Sequence, residues 1–213
     1  PNGLKLNIAA SYTKVTEEQL VACPHEAFRP CVFVLAFFHA VVQERRKFGP
    51  LGWNIRYDFN NTDMEICIQT LRMFLDEQPT IPWDALLYLS GQIHYGGRVT
   101  DKQDVRLTRA ILSIYLAPDA IDAPDSYSYC PHLDKHFRYC APPEGDKNSY
   151  SDFVGTFPLI DRPEIFGLHQ NADITKNQND TNRLFATLVL TEGGADGKEL
   201  EPFEHVDIEV PEE

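Results

Sequence analysis

The chain has 213 residues, enough for one or two compact domains with a sizeable core. A hydrophobic fraction of 43% and an aromatic fraction of 11% belong to a folded protein and exclude an intrinsically disordered one. The net charge of −13 and the pI near 4.9 argue against nucleic acid, or any strongly acidic surface, as a direct partner.

Residues 1–12 carry no periodicity long enough to define an element. Thr16-Glu17-Glu18-Gln19 has the form of a capping box, so a short helix is predicted there, closed by Pro24. Residues 28–47 read as one helix. Val34, Leu35, Phe38, Val41 and Val42 recur at three and four residues, and Phe33 and Phe37 widen the stripe nearly all round. Such a helix belongs at the centre of a bundle. Arg45, Arg46 and Lys47 fall in its last turn, where cations complement the helix dipole, and Gly49-Pro50 supplies the stop. Glu44 to Lys47 therefore reads as a solvated helix end.

Thr62-Asp63-Met64-Glu65 is a second capping box. Met64, Cys67, Ile68, Leu71, Phe74 and Leu75 share the face of the helix behind it, and Pro79 ends that helix. Pro82 suits the first position of the next helix, in which Leu86, Leu89 and Ile93 share a face, with a break at Gly96-Gly97. A third box, Thr100-Asp101-Lys102-Gln103, opens a helix striped by Val105, Thr108, Ile111, Leu112, Tyr115 and Leu116. Four substantial helices on short connections predict a bundle.

Residues 118–147 are rich in Pro, Asp, Tyr and Cys and lack a period, as in a long loop or a boundary. A short helix is expected over 149–157 and a Pro- and Gly-punctuated connector over 158–170. Asn171 or Asp173 is the candidate cap of a last helix carrying Leu184, Phe185, Leu188 and Val189, ended by Gly193-Gly194. Beyond it the tail is acidic, with Lys198 its only Lys or Arg, and Val206, Ile208 and Val210 alternate as in a strand.

Five cysteines at irregular spacing, with no CxxC, predict reduced thiols in an intracellular protein. On that expectation the sequons at Asn60 and Asn179 stay unused. The apolar run over 31–42 is too short to span a bilayer, and no signal peptide is visible at Pro1, which reads as an internal residue of something longer. The sharpest chemical cluster is Cys130, His132, His136 and Cys140. These are the ligand types of a closed zinc site, and His132 and His136 would share a face on a helix. Their spacing is not that of the usual zinc knuckles. Tyr95-Gly96-Gly97-Arg98 lacks the elements of a phosphate loop and reads as a helix–helix turn. Leu188 to Glu192 imitates a strand presenting an acid but reads as a helix end. His39, on an apolar helix, reads as a hydrogen-bonded core or rim histidine. No nucleophile has a base at a recognisable spacing, which disfavours an independent hydrolase.

Three long motifs, FHAVVQERRKFGPLGWNIRYDFN (38–60), IPWDALLYLSGQIHYGGRVTD (81–101) and PEIFGLHQNADIT (163–175), stand in order and at sensible spacing. Together they resemble the C-terminal part of the motor region of dynein heavy chains, and the first is worded more like the axonemal branch. The resemblance runs from about residue 3 to residue 191. Residues 124–141 look longer and more divergent than the family's loop, and the tail from Gly193 does not match its continuation.

The resemblance implies an all-α fold: a helical AAA+ lid subdomain followed by a loop-rich, partly helical segment. It divides the chain into the end of an AAA+ large subdomain (1–27), the lid of the sixth module (28–120), a connector with the first part of the C-terminal domain (121–192) and an acidic tail (193–213). It further implies a non-catalytic fragment without cofactor, metal or catalytic residues of its own, relaying conformational change between ring modules and the C-terminal domain. The parent would be an ATP-driven motor of the cilium or flagellum. Hydrolysis would sit chiefly in the first module, and the microtubule would be gripped by a distant stalk. The partners implied are neighbouring modules of the same heavy chain and, through the parent, other dynein subunits, with neither nucleic acid nor membrane. The alternative from the residues alone is a zinc-binding helical interaction module built on Cys130, His132, His136 and Cys140.

Overall fold

The first element is one that periodicity does not announce. α1 (Leu4–Lys14) buries Leu4, Ile8, Ser11 and Tyr12, so a serine interrupts its apolar stripe. α2 (Glu17–Val21) starts at Thr16, whose side chain accepts from Gln19 N while Gln19 accepts from Thr16 N, the expected capping box. α3 (Phe28–Glu44) follows, and of its 17 residues only Arg29 and Gln43 are not buried. The computed structural model describes residues 3–142 and 145–192, which divide into two compact units, one ending at Asn179 and one beginning at Asp180.

α3 is the axis of the first unit, as its all-round hydrophobicity predicts. α1 lies along it on one side, and α4 (Asn61–Glu77) and α6 (Lys102–Tyr115) pack on others. α3 stops as an α-helix at Glu44, not at 47. A 3₁₀-helical stretch, Arg45–Leu51, continues it and is broken at Gly49, whose φ of +54° favours glycine. α4 is capped two residues earlier than the expected Thr62. Asn60 is its N-cap, and Asp63 reaches back to accept from Asn60 N at 2.9 Å. The cap of α6 is Asp101, which accepts from Gln103 N at 2.8 Å and Asp104 N at 3.0 Å.

α5 (Trp83–Tyr88) continues into a π-helical turn, Leu89–His94. Tyr95 N–H reaches back five residues to Ser90 O at 3.0 Å. The wider turn rotates everything after it. Ile93, expected on the face of Leu86, is 46% exposed, while Ser90 and Tyr95 turn inward and are buried.

Residues 118–142 contain α7 (Pro118–Asp122) and one 3₁₀ turn, Pro131–Leu133, and are otherwise irregular. They are not a solvated loop. Tyr129 and Tyr139 are buried against Phe37 of α3, with ring centroids 5.0 and 6.3 Å away, and Tyr129 N donates to Tyr139 O at 2.7 Å. α8 (Lys147–Gly155) is capped by Asp146 and stacks Tyr150 on Tyr12 of α1. A 3₁₀ turn, Pro163–Phe166, leads to α9 (Ala172–Glu192). Within the second unit, Leu184, Phe185, Leu188 and Val189 of α9 are exposed. The expected stop at Gly193-Gly194, the acidic tail and the alternation at Val206, Ile208 and Val210 lie outside the described residues. Among the described residues there is no strand, so the all-α expectation holds, and no helix is long and apolar enough to cross a membrane.

Candidate functional site

The end of α3 gathers the buried polar chemistry of the first unit. Glu44 and Arg45 were expected in solvent, yet they are 0% and 2% exposed. The reason is that their neighbours supply partners. Glu44 Oε1 accepts from Gly3 N at 3.2 Å and from Asn7 Nδ2 at 2.5 Å, and Lys47 completes an ion pair with Oε2. Asp161 accepts from Leu4 N at 2.8 Å. Two carboxylates from distant parts of the chain thus take up the first N–H groups of α1, which has no side-chain cap of its own.

Arg45 serves other elements. Its Nε donates to Gly52 O at 3.1 Å, its Nη1 donates to Phe166 O, and its guanidinium lies 5.3 Å from the centroid of the Trp53 ring. No carboxylate forms an ion pair with it among the described residues. Burial lowers its pKa to about 10, which still leaves it charged at neutral pH. Gly52 permits this closure. A Cβ there would stand 1.8 Å from the Arg45 carbonyl oxygen.

Trp53 and Tyr57 fasten the turn behind Arg45. Trp53 Nε1 donates to Val42 O at 3.1 Å, satisfying a carbonyl in the last turn of α3. Tyr57 Oη donates to Asp104 Oδ2 at 3.0 Å. Asp104 also accepts from Asn54 N and Ile55 N, so one carboxylate in the first turn of α6 pins residues 54–57.

One turn back along α3, His39 is fully buried. Gln43 Nε2 donates to Phe59 O at 3.1 Å, which fixes the amide, so its second N–H faces His39 Nε2 at 2.9 Å. The neutral ring therefore carries its proton on Nδ1, directed at Tyr95 Oη 2.8 Å away. Burial lowers the His39 pKa to about 4. The reading of His39 as a hydrogen-bonded core residue is correct.

These groups hold elements together, and their chemistry matches that task. The partners are backbone amides, carbonyls and each other. Burial pushes the Cys31 and Cys67 thiols up to about 12, so both are unreactive packing groups.

The Cys/His cluster is not assembled. The segment forms a 3₁₀ turn at Pro131–Leu133 instead of an α-helix, so His132 and His136 do not share a face. His132 lines a groove with Glu164 and His169, whereas His136 lines a separate one with Phe137 and Ile160. Cys130 is buried and both histidines are exposed. Among the described residues no group of three or more His, Cys, Asp or Glu is placed to hold a metal ion. The zinc reading is therefore withdrawn.

A central apolar helix, flanked by α1, α4 and α6 and closed by a polar joint at its end, makes a helical bundle. Residues 28–172 match the family described as the dynein heavy chain AAA lid domain. The chain is 43% identical over 212 residues to the Dynein-1-alpha heavy chain of the flagellar inner arm I1 complex of Chlamydomonas reinhardtii, covering 95% of this chain and 4% of that protein. It is 44% identical over 200 residues to Dynein axonemal heavy chain 12 of Mus musculus, covering 92% of this chain and 6% of that protein. With Dynein axonemal heavy chain 10 of Homo sapiens it shares 44% over 179 residues, covering 82% and 4%.

The chain belongs to the dynein heavy chain family, on its axonemal side, and contains the AAA lid domain. Its place is accordingly the axoneme of the cilium or flagellum. It spans only a small part of the length of these relatives.

Proposed function

We propose that the chain is a non-catalytic, mechanical part of an axonemal dynein heavy chain, the lid of the sixth AAA+ module together with the first part of the C-terminal domain. It relays rigid-body movement between ring modules and that domain. On this reading residues 1–27 close the preceding large subdomain, 28–120 are the lid and 121–192 the connector and first part of the C-terminal domain. The parent hydrolyses ATP elsewhere in the ring and grips microtubules through a distant stalk.

The observation that supports this most is Arg45. One guanidinium at the end of the central helix holds the Gly52 turn and the Pro163–Phe166 turn at once. A push on α3 is thereby delivered to the segment that leads into α9, without slack from a flexible linker. The exposed stripe of Leu184, Phe185, Leu188 and Val189 fits a helix whose covering is supplied by the rest of the parent.

Two measurements test this. The purified chain is expected to show no saturable ATP binding, and micromolar affinity would refute the non-catalytic reading. In the full heavy chain, Arg45→Met is expected to keep ATP hydrolysis while lowering the microtubule sliding obtained per ATP. Unchanged sliding per ATP in a folded variant would refute the relay.

A further inference from the structure

α6 carries a charge that the rest of the described chain does not answer. Its outer face presents Lys102, Arg106 and Arg109, all exposed, at the i, i+4 and i+7 positions that share one side of a helix. The three cations stand in a row over about 10 Å. Among the described residues none of them forms an ion pair, although the chain has 32 acidic residues against 19 Lys and Arg. The two carboxylates nearest in sequence are committed elsewhere. Asp101 accepts from Gln103 N, Asp104 N and Asn54 Nδ2, and Asp104 accepts from Asn54 N, Ile55 N and the Tyr57 hydroxyl.

The row does not serve the helix that carries it. Lys102 occupies the first helical position, where the positive end of the helix dipole repels a cation. Arg106 stands four residues from Lys102 and three from Arg109, spacings at which like charges repel. Carboxylates facing the row relieve both repulsions. Beyond the cations the same side continues in Ala110 and Ser113, exposed and small, so a second helix can lie close along it.

Strength decides the kind of partner. An exposed ion pair tightens binding about fivefold at most, so three give about a hundredfold. That is too little to recruit a free protein at micromolar concentration. It is enough for a segment of the same polypeptide, whose effective concentration is about millimolar. Nucleic acid and anionic membrane are extended polyanions and meet the repulsion of a net charge of −13. The chain spans only a small part of its relatives' length, so the remainder of the heavy chain is the source of such segments.

We propose that the row of Lys102, Arg106 and Arg109 docks an acidic helix of the same heavy chain from outside these 213 residues, with carboxylates three and four residues apart. The proposal rests on the reading of the chain as part of a larger heavy chain, and not on the relay of movement.

The test uses the full heavy chain and a water-soluble carbodiimide. The reagent activates a carboxylate for attack by the Lys102 amine; an amide forms and the carbodiimide leaves as its urea. Peptide mass spectrometry is expected to find Lys102 joined to an Asp or Glu of a helix elsewhere in the same heavy chain. The yield is expected to fall about fivefold or more in the double variant Arg106→Gln, Arg109→Gln, and to fall as salt is raised. In the 213-residue chain the same double variant is expected to keep or raise the melting temperature, which separates lost docking from lost folding. The proposal is overturned if Lys102 forms no amide, or forms one only within the 213 residues or with another polypeptide. It is overturned too by a yield indifferent to the double variant or to salt, by a lowered melting temperature of that variant, or by binding to phosphatidylserine vesicles that the variant abolishes. Should the crosslink fail while the ATP-binding and sliding results hold, the docking surface alone is lost.

Discussion

The N–H of Leu4 and Oδ2 of Asp161 meet at 2.8 Å in a buried bond that closes 157 positions of chain. Burial holds the Asp161 carboxyl above the usual carboxylate range, and Glu44 adds to the rise, while the Leu4 N–H, Lys47 and Lys176 oppose it. A carboxyl raised on folding contributes stability below its unfolded pKa and loses it as pH rises through the folded value. At neutral pH the ionised form is therefore a net cost relative to a neutral acceptor. Asp161→Asn keeps a carbonyl for Leu4 and is expected to match or exceed the wild-type urea midpoint at neutral pH, with the advantage shrinking on acidification. Asp161→Ala is expected to lose about 1–3 kcal/mol, because the Leu4 N–H is left without an acceptor.

His39 works with the opposite sign. Its pKa is lowered on folding, so its contribution is present above the unfolded value of 6.5 and is lost as pH falls toward about 4. Crossing that window corresponds to about 3 kcal/mol. His39→Asn is expected to flatten the decline between those limits in a series of unfolding curves. Parallel profiles for variant and wild type would show that His39 is not the group being protonated.

Trp53 is 3% exposed, packs on Tyr57 and Phe59, and carries Arg45 over its ring. Trp53→Ala is expected to lower stability by about 3–5 kcal/mol. An unchanged denaturant midpoint would count against its place at the joint.

Gly52 and Gly97 make a matched pair. A methyl on Gly52 collides with backbone at 1.8 Å, whereas one on Gly97 meets nothing within 4 Å. Gly52→Ala is expected to cost more than about 3 kcal/mol or to prevent folding. Gly97→Ala is expected to stay within about 1 kcal/mol of wild type, on the stabilising side. Equal melting temperatures for the two variants would contradict the close approach of Gly52 to Arg45.

The four residues of the Cys130–Cys140 segment are not brought together, so protein purified without chelator is expected to carry no stoichiometric zinc by elemental analysis. One zinc per chain, lost in Cys130→Ser, would reverse that conclusion.

Most of the bundle was legible because its signals are local. The Thr16 box and the stripe of α3 need only a few neighbouring residues, whereas the caps of α4 and α6 fall at Asn60 and Asp101 and not at the expected Thr62 and Thr100. α1 was not legible because Ser11 breaks its stripe, and its first N–H groups are met by Glu44 and Asp161, far away in sequence. Ile93 was placed on the wrong face because a π turn changes the phase of a helix without a residue pattern that marks it. Arg45 misled for a deeper reason. Charges at a helix end look solvated, and only the folded positions of Gly52 and Phe166, the latter 121 residues on, turn one inward. Trp53 and Tyr57 lie within the first of the three long motifs, but no local pattern marks their acceptors, Val42 O and Asp104.

Arg45 is held by carbonyl oxygens and an aromatic face, away from water. Dissolved ions weaken exposed charge pairs over a Debye length of about 8 Å at physiological strength, but they screen a buried contact much less. The exposed Arg72–Asp76 pair will therefore fade as salt rises, while the Arg45 joint keeps its hold. The molecule thus has a fastening whose grip depends little on ionic strength.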